Sequence, residues 1–357
     1  MLNQKDYKNV LIFRIGSLGD TLVALPAFHL IRAEFPNSKI TLLTNSPVDG
    51  GIKAAPSHQI LIGSGLIDDY IEYPHGKINF KSFIKVINKI RKLSPDRSIY
   101  LMPIRSNSQR LRDAFFFLLS GILKVRGLYP VKNCNTHIKL SNSNLYESEA
   151  GRIIRTIGYS SNELNQKLFS LELQNNEFDV AKKLLDVLHK PFIALSVGAK
   201  VAAKDWGSDR WIELLQILQD KLNGSYSLVF LGSPDEHERC ESIVKNWQGE
   251  YLNLCGAINP RQSAAVLNQA SLFIGHDSGP MHLASSVGIP CISIFAARDK
   301  PGVWFPYGNE KNVFYNEVPC SNCKLSVCVD QKMICIRSIQ ANEVAERSIH
   351  LISFTNN

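Results

Sequence analysis

Two short segments bring together residue types that could handle a phosphorylated substrate. The first is Arg14-Ile15-Gly16-Ser17-Leu18-Gly19-Asp20, directly after the apolar run Val10–Phe13. Its glycines let a backbone turn tightly and approach a ligand, but their spacing is G-x-x-G and not the G-x-G-x-x-G of dinucleotide sites. Asp20 falls where the next helix begins. It can act there as a helix cap, or as a carboxylate that takes a proton from an acceptor hydroxyl. The second segment is His276-Asp277-Ser278-Gly279-Pro280-Met281-His282, after the apolar run Leu272–Gly275. Ser278 suits an N-cap and Pro280 a first helical turn. The free N–H groups of a helix start make an anion site fit for a diphosphate, with His282 one turn further in. An ordinary strand–turn–helix with a buried histidine uses the same residues.

Two further segments add charge at equivalent places. Lys204-Asp205-Trp206 follows the run Phe192–Val197, where a lysine can neutralise a phosphate or simply lie in solvent. Asp235 and Glu236 follow the run Leu228–Leu231, where carboxylates contact ribose hydroxyls or start helices.

These segments need strands to present them, and the pattern along the chain supplies strands. Short apolar runs alternate with amphipathic stretches, which reads as βαβ units and parallel sheets. Strands are predicted at Val10–Phe13, Ile40–Leu43, Ile99–Met102, Phe192–Val197, Leu228–Leu231, Tyr251–Leu254, Leu272–Gly275 and Cys291–Phe295. Helices are predicted at Thr21–Phe35, Phe80–Leu93, Ala114–Leu123, Glu147–Ile157, Phe178–Leu188 (a connector), Arg210–Leu222, Glu236–Trp247, Asn259 to about Ala270, Pro280–Val287 and Asn342–Ile352. Asn259-Pro260 gives an N-cap followed by proline at the first helical position. The expected architecture is α/β: an N-terminal acceptor-side Rossmann-like domain over residues 1–175, a C-terminal donor-binding Rossmann-like domain over 176–338, and a C-terminal helix over 339–357 packing back on the first domain. Ligands of open parallel sheets sit beyond the carboxyl ends of the strands, so two such sheets would face each other across a cleft.

The chain has 357 residues and a net charge of +8, which favours acidic partners. No run of 18 apolar residues occurs, and the polar start lacks the plan of a signal peptide; the expectation is a cytoplasmic protein. Arg105, Arg110, Arg112, Lys124 and Arg126 flank the apolar run Ala114–Leu123. Read as a core helix with charged ends, it needs no partner; read otherwise, it touches an anionic membrane or a phosphorylated glycolipid. Cys320, Cys323, Cys328 and Cys335 are spaced C-x2-C-x4-C-x6-C, which suits a structural four-thiolate zinc or disulfides better than a catalytic role.

Taken together, the motifs resemble those of glycosyltransferase family 9, the lipopolysaccharide heptosyltransferases. The resemblance lies in Val10–Asp20 with Leu25-Pro26-Ala27, in Lys204-Asp205-Trp206 with Trp211, and in Asp277–Ala284 followed by Gly288-Ile289-Pro290 and Trp304-Phe305-Pro306. It implies a GT-B fold and inverting transfer from a nucleotide-diphosphate sugar, with no cofactor or metal required for catalysis. It also implies Asp20 as base, Lys204 as donor-phosphate ligand and catalytic cation, and Asp277, Ser278, Gly279, Pro280, Met281 and His282 as the donor-binding turn. A ribose contact falls at Asp235 or Glu236, and Arg14, Gly16, Ser17 and Gly19 form the acceptor-side glycine turn. ADP-heptose is the first donor it points to, with UDP- and GDP-sugars open; the acceptor would be a lipopolysaccharide-core or other glycan hydroxyl. The expected partners are that donor and acceptor, with peripheral contact at the inner membrane and no nucleic acid. Two rival readings stand beside it: a sugar-nucleotide epimerase on the same architecture, and a non-catalytic basic protein with a zinc module.

Overall fold

The computed structural model describes residues 7–46, 57–74, 80–128, 134–141 and 143–355. They form two compact units. One takes the described residues up to 141 and from 147 to 172; the other takes the rest, including Tyr146.

The first unit carries four parallel strands: β1 Asn9–Phe13, β2 Lys39–Ser46, β3 Asp69–Pro74 and β4 Arg97–Tyr100, in the order β3-β2-β1-β4. Val10, Leu11 and Ile12 are fully buried, as expected of a strand covered on both faces. The single helix predicted over Thr21–Phe35 is two helices, Leu18–Leu22 and Leu25–Glu34. Pro26 explains the break: it has no N–H to continue the first helix, and it sits in the opening turn of the second. β3 was not foreseen, since DYIEYP is short and half polar.

The second unit carries β5 Phe192–Ser196, β6 Ser227–Phe230, β7 Tyr251–Asn253, β8 Leu272–His276, β9 Cys291–Phe295 and β10 Val313–Tyr315. Among the described residues they form one parallel sheet ordered β10-β9-β8-β5-β6-β7. β5 sits at the centre, with Ile193–Ser196 in register with Leu272–Gly275 of β8. The helix Pro260–Leu267 opens as predicted, with Asn259 Oδ1 accepting from Gln262 N at 2.9 Å and Gln262 Oε1 from Asn259 N at 3.0 Å.

The predicted connector is helix Asn175–Leu185, and it is part of the second unit. It packs on Pro260–Leu267, where the guanidinium of buried Arg261 forks onto Glu177 at 2.5 and 2.9 Å. The last helix, Ala341–Thr355, belongs to the second unit. Val344, Ala345 and Ile352 join the cluster around Trp206, Trp211 and Leu218, because they form an apolar face that helix Ser208–Leu222 can bury.

Candidate active site

In the second sheet the chain runs outward from β5 through β6 to β7, then returns to β8 and runs the other way. The reversal leaves a switch point beyond the carboxyl ends of β5 and β8, the place where open α/β sheets hold ligands. The sequence-predicted residues of this unit gather there.

Lys204 lies on the short helical turn Ala202–Lys204, and its Nζ is 2.5 Å from Asp277 Oδ2 and 3.4 Å from the Asp277 carbonyl. An ammonium has three N–H donors, so one is left for a ligand oxygen. The turn is clamped on its far side. Asp205 accepts both guanidinium nitrogens of Arg239, at 2.7 and 2.8 Å, as well as the Gly207 N–H. Burial raises the Asp205 pKa, but the bonds from Arg239 outweigh it and hold the carboxyl below its usual range.

Ser278 occupies the N-cap position of helix Gly279–Ser286, but its hydroxyl donates back to the His276 carbonyl at 3.3 Å and does not cap. The first-turn N–H groups have no intrahelical partner by construction, so they present positive charge to the crevice. Pro280 contributes no N–H, and Met281 sends its side chain into the core. His282 is buried with its ring edge-on to Trp304, centroids 6.4 Å apart.

Glu236 rather than Asp235 reaches this neighbourhood; Asp235 is exposed. A Cβ on Gly198 would stand 1.9 Å from Glu236 Oε1, and one on Gly232 would stand 2.1 Å from Oε2. Both glycines therefore make room for this carboxylate. Burial pushes its pKa up, against the hydrogen bond it accepts from Ser233 N at 3.0 Å.

The sequence reading passed over His276. Its Nε2 accepts from the Trp206 N–H at 3.1 Å, so the proton sits on Nδ1, which donates to the Gly198 carbonyl at 3.1 Å. One neutral ring thus ties the Lys204 turn and Gly198 to the end of β8. Burial lowers its pKa to about 4. The only signal in the sequence was a histidine at the last position of an apolar strand.

In the first sheet the switch point lies between β1 and β4, and the glycine turn leaves the carboxyl end of β1. Ser17 is the N-cap and Asp20 the third residue of the helix, so Asp20 closes a capping box and is not itself the cap. Its Oδ2 accepts from Ser17 N and Ser17 Oγ, both at 2.7 Å. Among the described residues nothing donates to Oδ1. Gly16 must be glycine, because a Cβ there would stand 2.5 Å from Asp20 Cβ. Arg14 is not presented to a substrate. It is fully buried, and its guanidinium donates to the carbonyls of Leu101 and Asp20, fastening the turn to the end of β4. Beneath it, Arg152 forks onto Glu149 with two bonds of 2.7 Å, while donating to the carbonyls of Cys134 and Met102. Burial pushes Glu149 up, but the bonds from Arg152 and His137 prevail and set its pKa at about 2.

The four cysteines of the tail are free thiols. Among the described residues no three of His, Cys, Asp and Glu are grouped to hold a metal ion, though Cys335, whose pKa burial raises, lies near enough to Cys320 and Cys328 for their charges to raise it further. The tail is instead held by its backbone. Asn322 N donates to the Ala297 carbonyl, and the Ser326 carbonyl accepts from Ala203 N at 3.1 Å, bracing the Lys204 turn. A cavity of about 490 Å³ in the first unit, lined by Ser94, Ser98 and Ile122 among others, lies at the amino end of β4, the opposite end of the sheet from the glycine turn.

With this geometry in place, comparison with known proteins gives one family. The model of glycosyltransferase family 9 (heptosyltransferase) matches residues 147–334, just over half of the chain. The chain belongs to glycosyltransferase family 9. Its relatives in this family include lipooligosaccharide heptosyltransferase 2 of Campylobacter jejuni, 23% identical across 94% of this chain and 95% of that protein. Lipopolysaccharide heptosyltransferase 3 of Escherichia coli is also 23% identical, over 84% of this chain and 88% of that protein. Among solved structures, a family 9 glycosyl transferase from Veillonella parvula superposes with a TM-score of 0.74 at 19% identity, covering 98% of both chains. The E. coli ADP-heptose lipopolysaccharide heptosyltransferase II gives 0.70 at 19%, covering 98% of this chain and all of that one. The fold is thus GT-B, built of two Rossmann-like domains, and as a family 9 member the chain is a glycosyltransferase.

Proposed function

We propose that this glycosyltransferase moves a heptose from ADP-heptose onto a hydroxyl of a lipopolysaccharide-core acceptor. The transfer inverts the anomeric centre, needs no metal, and takes place in the cytoplasm at the inner face of the membrane. What carries the reading is the second switch point, where Lys204 pairs with Asp277, a helix starts uncapped, and the Glu236 carboxylate lies against Gly198 and Gly232 just beyond β5 and β6. The names of the relatives, heptosyltransferases acting on lipopolysaccharide or lipooligosaccharide, support the choice of donor and acceptor.

In this reading the acceptor oxygen attacks the anomeric carbon while Asp20 Oδ1 takes its proton. The bond from that carbon to the diphosphate oxygen breaks, and ADP departs with the electron pair. Lys204 and the first-turn N–H groups meet the growing negative charge, supplying what a bound cation would supply elsewhere. Glu236 accepts a hydrogen bond from a ribose hydroxyl, and His282 stands behind the diphosphate turn.

The test is a donor panel. ADP-heptose should raise the melting temperature more than UDP- or GDP-sugars do. With extracted lipopolysaccharide core it should release ADP at an unchanged rate in EDTA. Conversion of the donor without any acceptor would favour the epimerase, and nucleic-acid binding without donor affinity would favour the non-catalytic protein. A chain inert toward all three donors is not the enzyme described here.

A further inference from the structure

Two neighbouring helices of the first unit share a surface that the chemistry above leaves unused. Helix Phe80–Leu93 buries Val86, Ile87 and Ile90 but leaves Phe80 75% exposed. Helix Asn107–Leu119 buries Phe116 and Phe117, while Leu111, Phe115 and Leu118 remain 73%, 57% and 54% exposed, and Leu123 just beyond is 70% exposed. Of the two readings the sequence allows for this run, a core helix would bury it all round. Only one side of it is buried. Leu111, Phe115 and Leu118 are spaced four and three apart, so they form one stripe on the opposite side. The two helices touch: the Phe83 and Phe116 rings lie 5.6 Å apart, and Arg91 donates twice to the Leu119 carbonyl, at 3.0 and 2.7 Å.

The charge of this surface has one sign. Residues 80–94 hold five lysines and arginines and no carboxylate; residues 106–124 hold Arg110, Arg112, Lys124 and a single carboxylate, Asp113. The two stretches carry a net +7 of the chain's +8. Asp113 does not offset the field outside, being buried with Tyr100 Oη donating to it at 2.6 Å and Arg112 at 2.9 Å. Among the described residues no helix is long and apolar enough to cross a membrane.

We propose that this face is the surface on which the enzyme docks to an anionic lipid bilayer. Phe80, Leu111, Phe115, Leu118 and Leu123 enter the boundary between headgroups and acyl chains, and the surrounding lysines meet the lipid phosphates. Large apolar side chains ringed by cations on long stems suit a negatively charged interface without fixed shape; the one exposed carboxylate beside Leu123 and Lys124 among the described residues, Asp96, is taken up by the N–H groups of Lys8 and Asn9. The inference rests on the peripheral-membrane part of the proposed function and names the residues that perform it.

Flotation of the full chain with vesicles of phosphatidylcholine, with and without phosphatidylglycerol, tests it. The chain should bind only the anionic vesicles and release them at high salt, which shortens the reach of the charges. The exposed triple variant Leu111→Ser, Phe115→Ser, Leu118→Ser should bind at least about tenfold more weakly, as should the charge variant Lys85→Glu, Lys89→Glu. Melting temperature and ADP release with a delipidated, soluble core acceptor should stay unchanged in both. Equal binding by parent and variants, or a parent that leaves both vesicles unbound, overturns the proposal. So does a variant that changes the chain's own oligomeric mass and not its lipid binding, which would make the face a protein interface. A parent that binds anionic vesicles yet transfers no sugar to the soluble acceptor would sink the transferase reading and leave the docking surface standing.

Discussion

At the scale of single residues, the proposed chemistry separates into a base and a cation, and each has its own signature when removed. Asp20→Asn keeps an oxygen that can accept from Ser17 N, so the capping box and the fold should survive. The loss of a general base should cut single-turnover transfer by about 10²- to 10⁴-fold, with donor affinity unchanged; near-normal turnover would remove Asp20 from the mechanism. Lys204→Met takes away charge that matters most as the diphosphate leaves, so kcat should fall by about 10²- to 10³-fold. It also strands the buried carboxylate of Asp277, which lowers the melting temperature. Adding Asp277→Asn should return the melting temperature without returning activity. If the double variant regains turnover, the pair is structural. The identities of Asp20, Lys204, Asp277 and His282 were legible from their places after apolar runs. Their partners were not. No sequence pattern says that Asp277 pairs with Lys204, 73 residues away, or that Arg14 turns inward as a strut.

At the scale of elements, the two glycines around Glu236 allow a test that separates space from stability. Gly198→Ala and Gly232→Ala each drive a methyl into the Glu236 carboxylate, which ends a flexible side chain and can swing aside. The unfolding midpoint should therefore move little in Gly198→Ala and more in Gly232→Ala, whose Cβ also stands 3.1 Å from the buried Cys255 Sγ, while donor affinity drops in both by roughly tenfold through a displaced hydrogen bond worth about 1.5 kcal/mol. Thermal shift without donor and calorimetric titration with it give the two numbers; equal donor affinity in all three proteins would place Glu236 outside the donor site. The central strands and the Asn259-Pro260 helix start could be read directly, since buried apolar runs and caps are local signals. The edge strands β3 and β10 could not, because their short, mixed sequences look like loops until a neighbouring strand pairs with them. Which side of the helix 107–119 lies inside was not legible for a related reason. Its run of apolar residues shows no period, and only packing decides that Phe116 and Phe117 go inside while Phe115 and Leu118 stay out.

At the scale of the whole molecule, the order of strands made the two switch points, and alternation in the sequence was enough to expect two parallel sheets. The helices Asn175–Leu185 and Ala341–Thr355 join the second unit through contacts distant in sequence. The two units also differ in how acid should undo them. His276 in the second unit is held neutral, with its folded pKa near 4 against an ordinary 6.5. Below 6.5 the unfolded chain takes up the proton and the folded one does not, so stability falls as pH drops from 6.5 to about 4, by about 3 kcal/mol from this ring. Glu149 in the first unit has the opposite bias, being held ionised with a folded pKa of about 2 against 4.5. Its contribution is intact above 4.5 and is lost as pH falls toward 2. All four tryptophans, Trp206, Trp211, Trp247 and Trp304, lie in the second unit, so their fluorescence follows that unit alone. Denaturant titrations read by tryptophan should weaken between pH 6.5 and 4.5, while the amide protection of peptides covering Glu149–Thr156, taken relative to the intrinsic exchange rate at each pH, holds steady there and falls only at lower pH. A tryptophan-detected stability that stays flat down to pH 4.5 would mean that His276 is protonated in the folded protein, and with that its bond from the Trp206 N–H, and the anchoring of the Lys204 turn that depends on it, would be lost.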